Sequence, residues 1–156
     1  MQLLLNICLC LSFVPHILSL QTRRNQIVST SHESVLLRNG LRMPLIGLGT
    51  WKSAKAGEVA RSVTGAIKSG YKHIDCAWDY GNQNEVGDAL SEAFLNREVA
   101  REDLWITSKL WNAFHAEKDV EEHCRDTLKQ LKLSYLDLYL IHWPVTGCSS
   151  EVFTQI

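Results

Sequence analysis

Four residues in this chain have types and spacings that suit acid–base chemistry: Asp75, Tyr80, Lys109 and His142. Asp75 ends "YKHID", Lys109 ends "WITSK" and His142 ends "LYLIH", each where an apolar run turns polar. Asp75 and Lys109 are 34 positions apart, and Lys109 and His142 are 33 apart, one β-α repeat each time. Neighbouring parallel strands lie about 4.8 Å apart, so side chains at matching heights on them converge. Tyr80, on the loop after Asp75, can lean over the other three. A cation beside a tyrosine favours the phenolate and makes the hydroxyl a better proton donor. A histidine beside both can hold a substrate oxygen. The set suits proton donation to a carbonyl oxygen as hydride arrives. Side chains cannot supply hydride, so a nicotinamide cofactor is implied. Singly, each residue has a plainer reading. The aspartate is a turn or cap residue, the lysine is solvated, the histidine is a satisfied core residue and the tyrosine is packing. An Asp–Lys pair alone is as easily structural, since buried charges are usually matched.

The elements that would position these groups alternate along the chain. "SVLLRNGLRMPLIG" carries a hairpin signal, with Asn39-Gly40 as the pair that best accepts positive φ in a tight turn. "PLIGLG" reads as a short buried strand. Three strand patterns follow, "YKHIDCA", "DLWITSKLW" and "YLDLYLIHW". Between them lie helical patterns with apolar stripes Val59, Val63, Ala66, Ile67, then Val86, Ala89, Leu90, Ala93, then Val120, Cys124, Leu128, Leu131. The order, hairpin then β-α-β-α-β-α-β, implies an α/β protein with a parallel sheet and helices outside it. A doubly wound nucleotide fold wants G-x-G-x-x-G after the first strand. "GLGTWKS" supplies Gly47 and Gly49 but has Lys52 at the third place. A (β/α)₈ TIM barrel is the better expectation, and in such barrels the C-terminal strand ends form the active face.

Composition narrows the partners. The 156 residues carry a net charge of -1, with 16 basic against 17 acidic groups. This balance argues against nucleic acid, or a membrane surface, as the main partner. Cys8, Cys10, Cys76, Cys124 and Cys148 contain no CxxC pair, so neither a disulfide framework nor a metal site is expected. Residues 1–20 are apolar and nearly uncharged, and have three readings: a signal segment, a non-native extension or an anchor. Pro15 interrupts the run, and no N-x-Ser/Thr sequon occurs anywhere. Residues 21–34 read as a polar linker, with the folded part starting near Val35.

From Val35 to about Val145 the chain resembles the N-terminal half of an aldo-keto reductase, nearest in pattern to aldehyde and aldose reductases. The resemblance rests on "MPLIGLGTW", "GYKHIDCA", "YGNQNEVG", "DLWITSKLW" and "LDLYLIHWP", in that order. It implies a (β/α)₈ barrel whose bottom is closed by an N-terminal hairpin. It makes Tyr80 the general acid, Lys109 and Asp75 the groups that tune it, and His142 the group that orients the carbonyl. Gly49, Thr50 and Asp75 would approach the nicotinamide end of NADPH. Trp51, Trp111, Trp143 and His142 would line a pocket for a small carbonyl substrate: an aldehyde, aldose or ketone. His73, His115 and His123 match no catalytic position and read as surface or packing residues. The family is mostly cytoplasmic, while a signal at residues 1–20 would imply secretory entry.

The match covers an N-terminal hairpin plus about four βα units, residues 35–147, followed by a divergent tail at 148–156. Full barrels need about 250 residues. The family's grip on the carboxamide, ring and adenosine phosphate of the cofactor lies beyond this half. Asp79 stands where the family more often has an apolar residue, and its charge opposes a phenolate at Tyr80. An open half-barrel leaves strand edges unpaired and barrel-facing side chains uncovered, so self-association by pairing with another half, aggregation or instability is expected. The function expected is NADPH-dependent carbonyl reduction. The alternatives are an inactive truncated form acting as a binding or regulatory subunit, and a non-catalytic relative of the channel-subunit kind.

Overall fold

The computed structural model describes residues 33–53 and 55–146. The apolar segment 1–20, most of the linker, Cys8, Cys10, Cys148 and the 148–156 tail lie outside the described residues. Two strands, β1 (Ser34–Leu36) and β2 (Arg42–Pro44), form the expected antiparallel hairpin. In its turn only Gly40 takes a positive φ, 84°. Asn39 instead uses its side chain, accepting a hydrogen bond from the Leu41 N–H at 3.1 Å.

The remaining strands, β3 (Leu48–Gly49), β4 (His73–Asp75), β5 (Trp105–Leu110) and β6 (Leu138–Ile141), form one sheet in the order β3-β4-β5-β6. All its pairings are parallel. Helices α1 (Glu58–Lys68), α2 (Gln83–Leu95) and α3 (Glu117–Leu131) make the crossovers. Val59, Val63, Val86, Leu90, Ile74, Ile106 and Leu131 form the core between helices and sheet, as the periodicity of the first two helices predicts. Helix α3 differs from its reading. Val120, Cys124 and Leu128 are only half-buried, and the fully buried positions are Thr127 and Leu131. The neighbouring face of α2 is polar at Gln83, so α3 meets it with a mixed stripe.

Helices α2 and α3 touch backbone to backbone. A Cβ added at Gly87 would come within 2.5 Å of the Gln130 carbonyl oxygen and 2.9 Å of the Leu131 Cα. Position 87 is therefore closed to any side chain. Of the two readings of His73, surface or packing, the structure shows packing. Its ring bridges the Pro44 carbonyl at 3.2 Å and the Thr107 hydroxyl at 3.0 Å, tying the hairpin to the sheet.

Candidate active site

Parallel register places the site at one end of the sheet. Asp75 ends β4, level with Gly49 of β3 and Thr107 of β5. Lys109 lies two residues beyond Thr107 on the same face of β5, and β6 runs on to His142, whose N–H donates to the Leu110 carbonyl at 3.0 Å. The Lys109 ammonium donates to both Asp75 oxygens at 2.9 and 2.8 Å, to the Cys76 carbonyl at 2.8 Å and to the Tyr80 hydroxyl at 3.3 Å. Tyr80 rides on a 3₁₀ turn, Trp78–Tyr80, directly after β4. The tyrosine ring meets His142 edge-on at 5.7 Å and lies along Trp51 at 6.4 Å. The four residues singled out by spacing are thus brought together at the C-terminal strand ends.

His142 is poised as a neutral imidazole. Burial, reinforced by the Lys109 ammonium, holds its pKa below the usual histidine value, against weaker opposing pulls from Asp79 and Asp75. Its Nδ1 is buried without a hydrogen-bond partner. Cys76, beside Asp75, is inert: burial pushes its thiol up to about 12.

The aromatic residues divide. Trp51 is 66% exposed and Trp143 is also exposed, whereas Trp111 is buried. Trp111 and Trp143 flank His142 at 5.3 and 6.0 Å. Gly49 faces open space where a side chain would stand. Thr50 is buried, and both its N–H and its hydroxyl donate to the Asp75 carbonyl, at 3.1 and 3.0 Å. Its own carbonyl accepts from Asn82 at 2.8 Å. Thr50 thus holds the backbone of Asp75 rather than offering a free donor. Among the described residues no group of His, Cys, Asp and Glu is arranged to hold a metal ion, and no helix is long and apolar enough to cross a membrane.

Sequence reasoning passed over five residues around this site: Trp78, Gln83, Ser108, Asp126 and Gln130. They join in one hydrogen-bonded chain. A signal existed at Gln83, a glutamine on the same helical stripe as Val86 and Leu90, where a polar side chain must find a buried partner.

The fold is an open α/β sheet of the barrel class, with an ion pair, a tyrosine and a histidine at its C-terminal rim. The aldo/keto reductase family model matches residues 45–154, and the chain belongs to that family. It is 56% identical over 111 residues to aldo-keto reductase family 1 member A1 of Homo sapiens, covering 70% of this chain and 34% of that protein. It is 54% identical over 103 residues to aldose reductase B of Dictyostelium discoideum, covering 66% of this chain and 33% of that one. Among solved structures, the Bombyx mori aldo-keto reductase in complex with NADP superposes with a TM-score of 0.72 at 40% identity, covering 76% of this chain and 40% of that one. The aldose reductase of Schistosoma japonicum gives 0.70 at 47% identity, with 75% and 40% covered. The chain spans about a third of the length of the curated relatives it matches.

Proposed function

We propose that this chain carries the proton-transfer half of an NADPH-dependent carbonyl reductase site. The observation behind this reading is the Lys109 ammonium, bonded at once to Asp75 and to the Tyr80 hydroxyl. Tyr80 is the general acid. A carbonyl oxygen placed between Tyr80 and His142 receives one hydrogen bond from the phenol and one from the imidazole N–H. As the carbonyl carbon is reduced, the Tyr80 proton passes to the oxygen and leaves an alcohol. The Lys109 charge stabilises the phenolate left behind, and Asp75 holds Lys109 in place. Solvent then reprotonates the tyrosine. A neutral His142 still has one N–H to donate and does not compete as an acid.

The nicotinamide supplies the hydride that side chains lack. The residues present fit such a ring by position. Gly49 leaves open space level with Asp75, so a flat ring can approach the backbone there. Gly49, Thr50 and Asp75 would flank it, Thr50 by fixing Asp75. Trp51, Trp111 and Trp143 would surround a small aldehyde, aldose or ketone. The test is NADPH oxidation by the purified chain with a small aldehyde. Tyr80→Phe is expected to lower kcat by at least about 10²-fold, with NADPH affinity nearly unchanged. A folded chain that binds no NADPH, or an active Tyr80→Phe variant, overturns this reading.

The exposed Leu140, Ile141, Trp143 and Val145 favour a second reading. Among the described residues β6 is paired on one side only. A further strand laid against it would pair its open edge and shield apolar side chains beside it. This suits a binding or regulatory role, with the sheet paired to another aldo-keto reductase chain. The mass of the native assembly in light scattering distinguishes a monomer from such a pair.

A further inference from the structure

Tyr80 and Lys109 are joined by a second route that avoids their direct contact. Two residues before Tyr80, the Trp78 indole N–H donates to Asp126 Oδ2 on α3 at 2.9 Å. The same oxygen accepts from the Gln130 amide at 2.7 Å. Gln130 Oε1 accepts from the Gln83 amide of α2 at 3.1 Å. Gln83 Oε1 accepts from the Ser108 hydroxyl at 2.7 Å. Ser108 is the residue before Lys109. The circuit starts at the tyrosine's turn, crosses two helices and returns to the lysine's strand.

Its direction is fixed. Ser108 donates, each glutamine accepts through oxygen and donates through nitrogen, and the chain ends on a carboxylate that takes two donors. Flipping Gln130 would set its oxygen against the Asp126 carboxylate, and flipping Gln83 would set its oxygen against that of Gln130, acceptor against acceptor in both cases. Gln83 and Ser108 are fully buried, so a broken link there strands a polar group at a cost larger than the bond itself. The Trp78 ring is also held edge-on by Phe114 at 5.3 Å and His123 at 5.8 Å.

The turn that carries Tyr80 needs such support. It is three residues long, closed by Tyr80 N–H to Ala77 and Gly81 N–H to Trp78 bonds of 3.2 Å each. Such 3₁₀ turns have poor hydrogen-bond geometry and hold little by themselves. The Tyr80–Lys109 contact, at 3.3 Å, is the longest of the four that Lys109 makes.

We infer that Trp78 and Asp126 are positioning residues that set the Tyr80 hydroxyl over Lys109, by pinning the 78–80 turn to α3 while Gln83 and Ser108 pin β5 to the same frame. Its catalytic meaning rests on the reductase reading above. The placement itself does not.

The experiment labels the full chain with tyrosine carrying ¹³C at Cζ and assigns the Tyr80 line with Tyr80→Phe. Trp78→Phe keeps an aromatic ring and removes the N–H. Asp126→Asn keeps the shape and removes the charge. Each is expected to shift or broaden the Tyr80 line while the Tyr71 line stays in place. Arg101→Ala, a destabilising change at the other end of the sheet, should leave the Tyr80 line unmoved. With NADPH and a small aldehyde, Trp78→Phe should lower kcat about 10-fold at nearly constant KM, as a small misplacement of a reacting group does. An unmoved Tyr80 line in a folded Trp78→Phe or Asp126→Asn chain overturns the inference. If Trp78→Phe does not fold, Ser108→Ala makes the same test from the other end of the circuit. A moved line in a chain whose wild type reduces no aldehyde supports the anchoring and removes the reductase reading instead.

Discussion

Arg101–Asp137 and Lys109–Asp75 are two ion pairs at opposite ends of one sheet. Both have an N···O distance of 2.8 Å, and their cations are equally sheltered, 15% and 14% exposed. They differ in what else they hold. Arg101 also donates to the Leu104 and Tyr135 carbonyls and lies 3.8 Å over the Tyr135 ring. Asp137, 17% exposed, accepts the Ile106 N–H on the same oxygen that meets Arg101. That pair closes onto backbone and fixes where β6 starts beside β5. Lys109 faces a phenol, and Asp75 is 37% exposed toward the rim. One charge pair is closed off by backbone, and the other stays open toward a phenol at the rim. The carboxylates differ in exposure, but distance and the shelter of the cation do not tell the two pairs apart. The partners around each pair do.

This contrast can be broken in several ways. The largest effect is expected from Lys109→Met, which should lower carbonyl turnover by more than about 10²-fold and change the melting temperature little. Single-turnover kinetics with NADPH measure it, and comparable turnover in the variant would make the rim pair structural too. Next is Arg101→Ala, which leaves Asp137 buried beside no cation. It should cost about 3 kcal/mol of stability in urea unfolding, in line with other broken buried pairs, without disturbing the rim.

A smaller effect concerns acid. The native His142 binds a proton less readily than the unfolded chain does, because its folded pKa is lowered by burial and Lys109. Its contribution to stability is therefore complete above the unfolded value of about 6.5. It falls as the pH drops from there toward the folded pKa. Urea midpoints at pH 7.5 and 5.5 should differ more in wild type than in His142→Gln, and equal differences would remove His142 as a source. The smallest effect is at Arg125–Glu121, an i,i+4 pair whose side chains are almost fully in solvent. Arg125→Gln should leave the unfolding midpoint where it is.

Much of this arrangement was legible in the sequence, because strand ends announce themselves. An apolar run that stops at Asp, Lys or His at intervals of 34 and 33 residues fixes both a parallel sheet and the rim on which those residues meet. The buried faces of α1 and α2 followed from period alone. The Trp78–Asp126 bond spans 48 positions and joins a turn to a helix, two elements with no common periodicity. Asp126 is one of several charges along α3, and nothing in its neighbours marks it as the one turned inward. Thr127 was hidden for a related reason, since a stripe drawn through apolar residues skips a buried hydroxyl. The partners of His73 are not legible in its own segment because both, Pro44 and Thr107, lie on other strands.

The Gly87 contact bears on which sequences this fold can tolerate. The atoms nearest a side chain there belong to the backbone of α3 and cannot rotate away. Gly65, equally helical in α1, has nothing within 4 Å of the same point. If every amino acid were tried at both positions and folded chains recovered, position 87 should return glycine alone. Position 65 should be enriched for alanine, which gains about 1 kcal/mol of helix propensity over glycine. The same residue type would then be indispensable at one site and a handicap at the other.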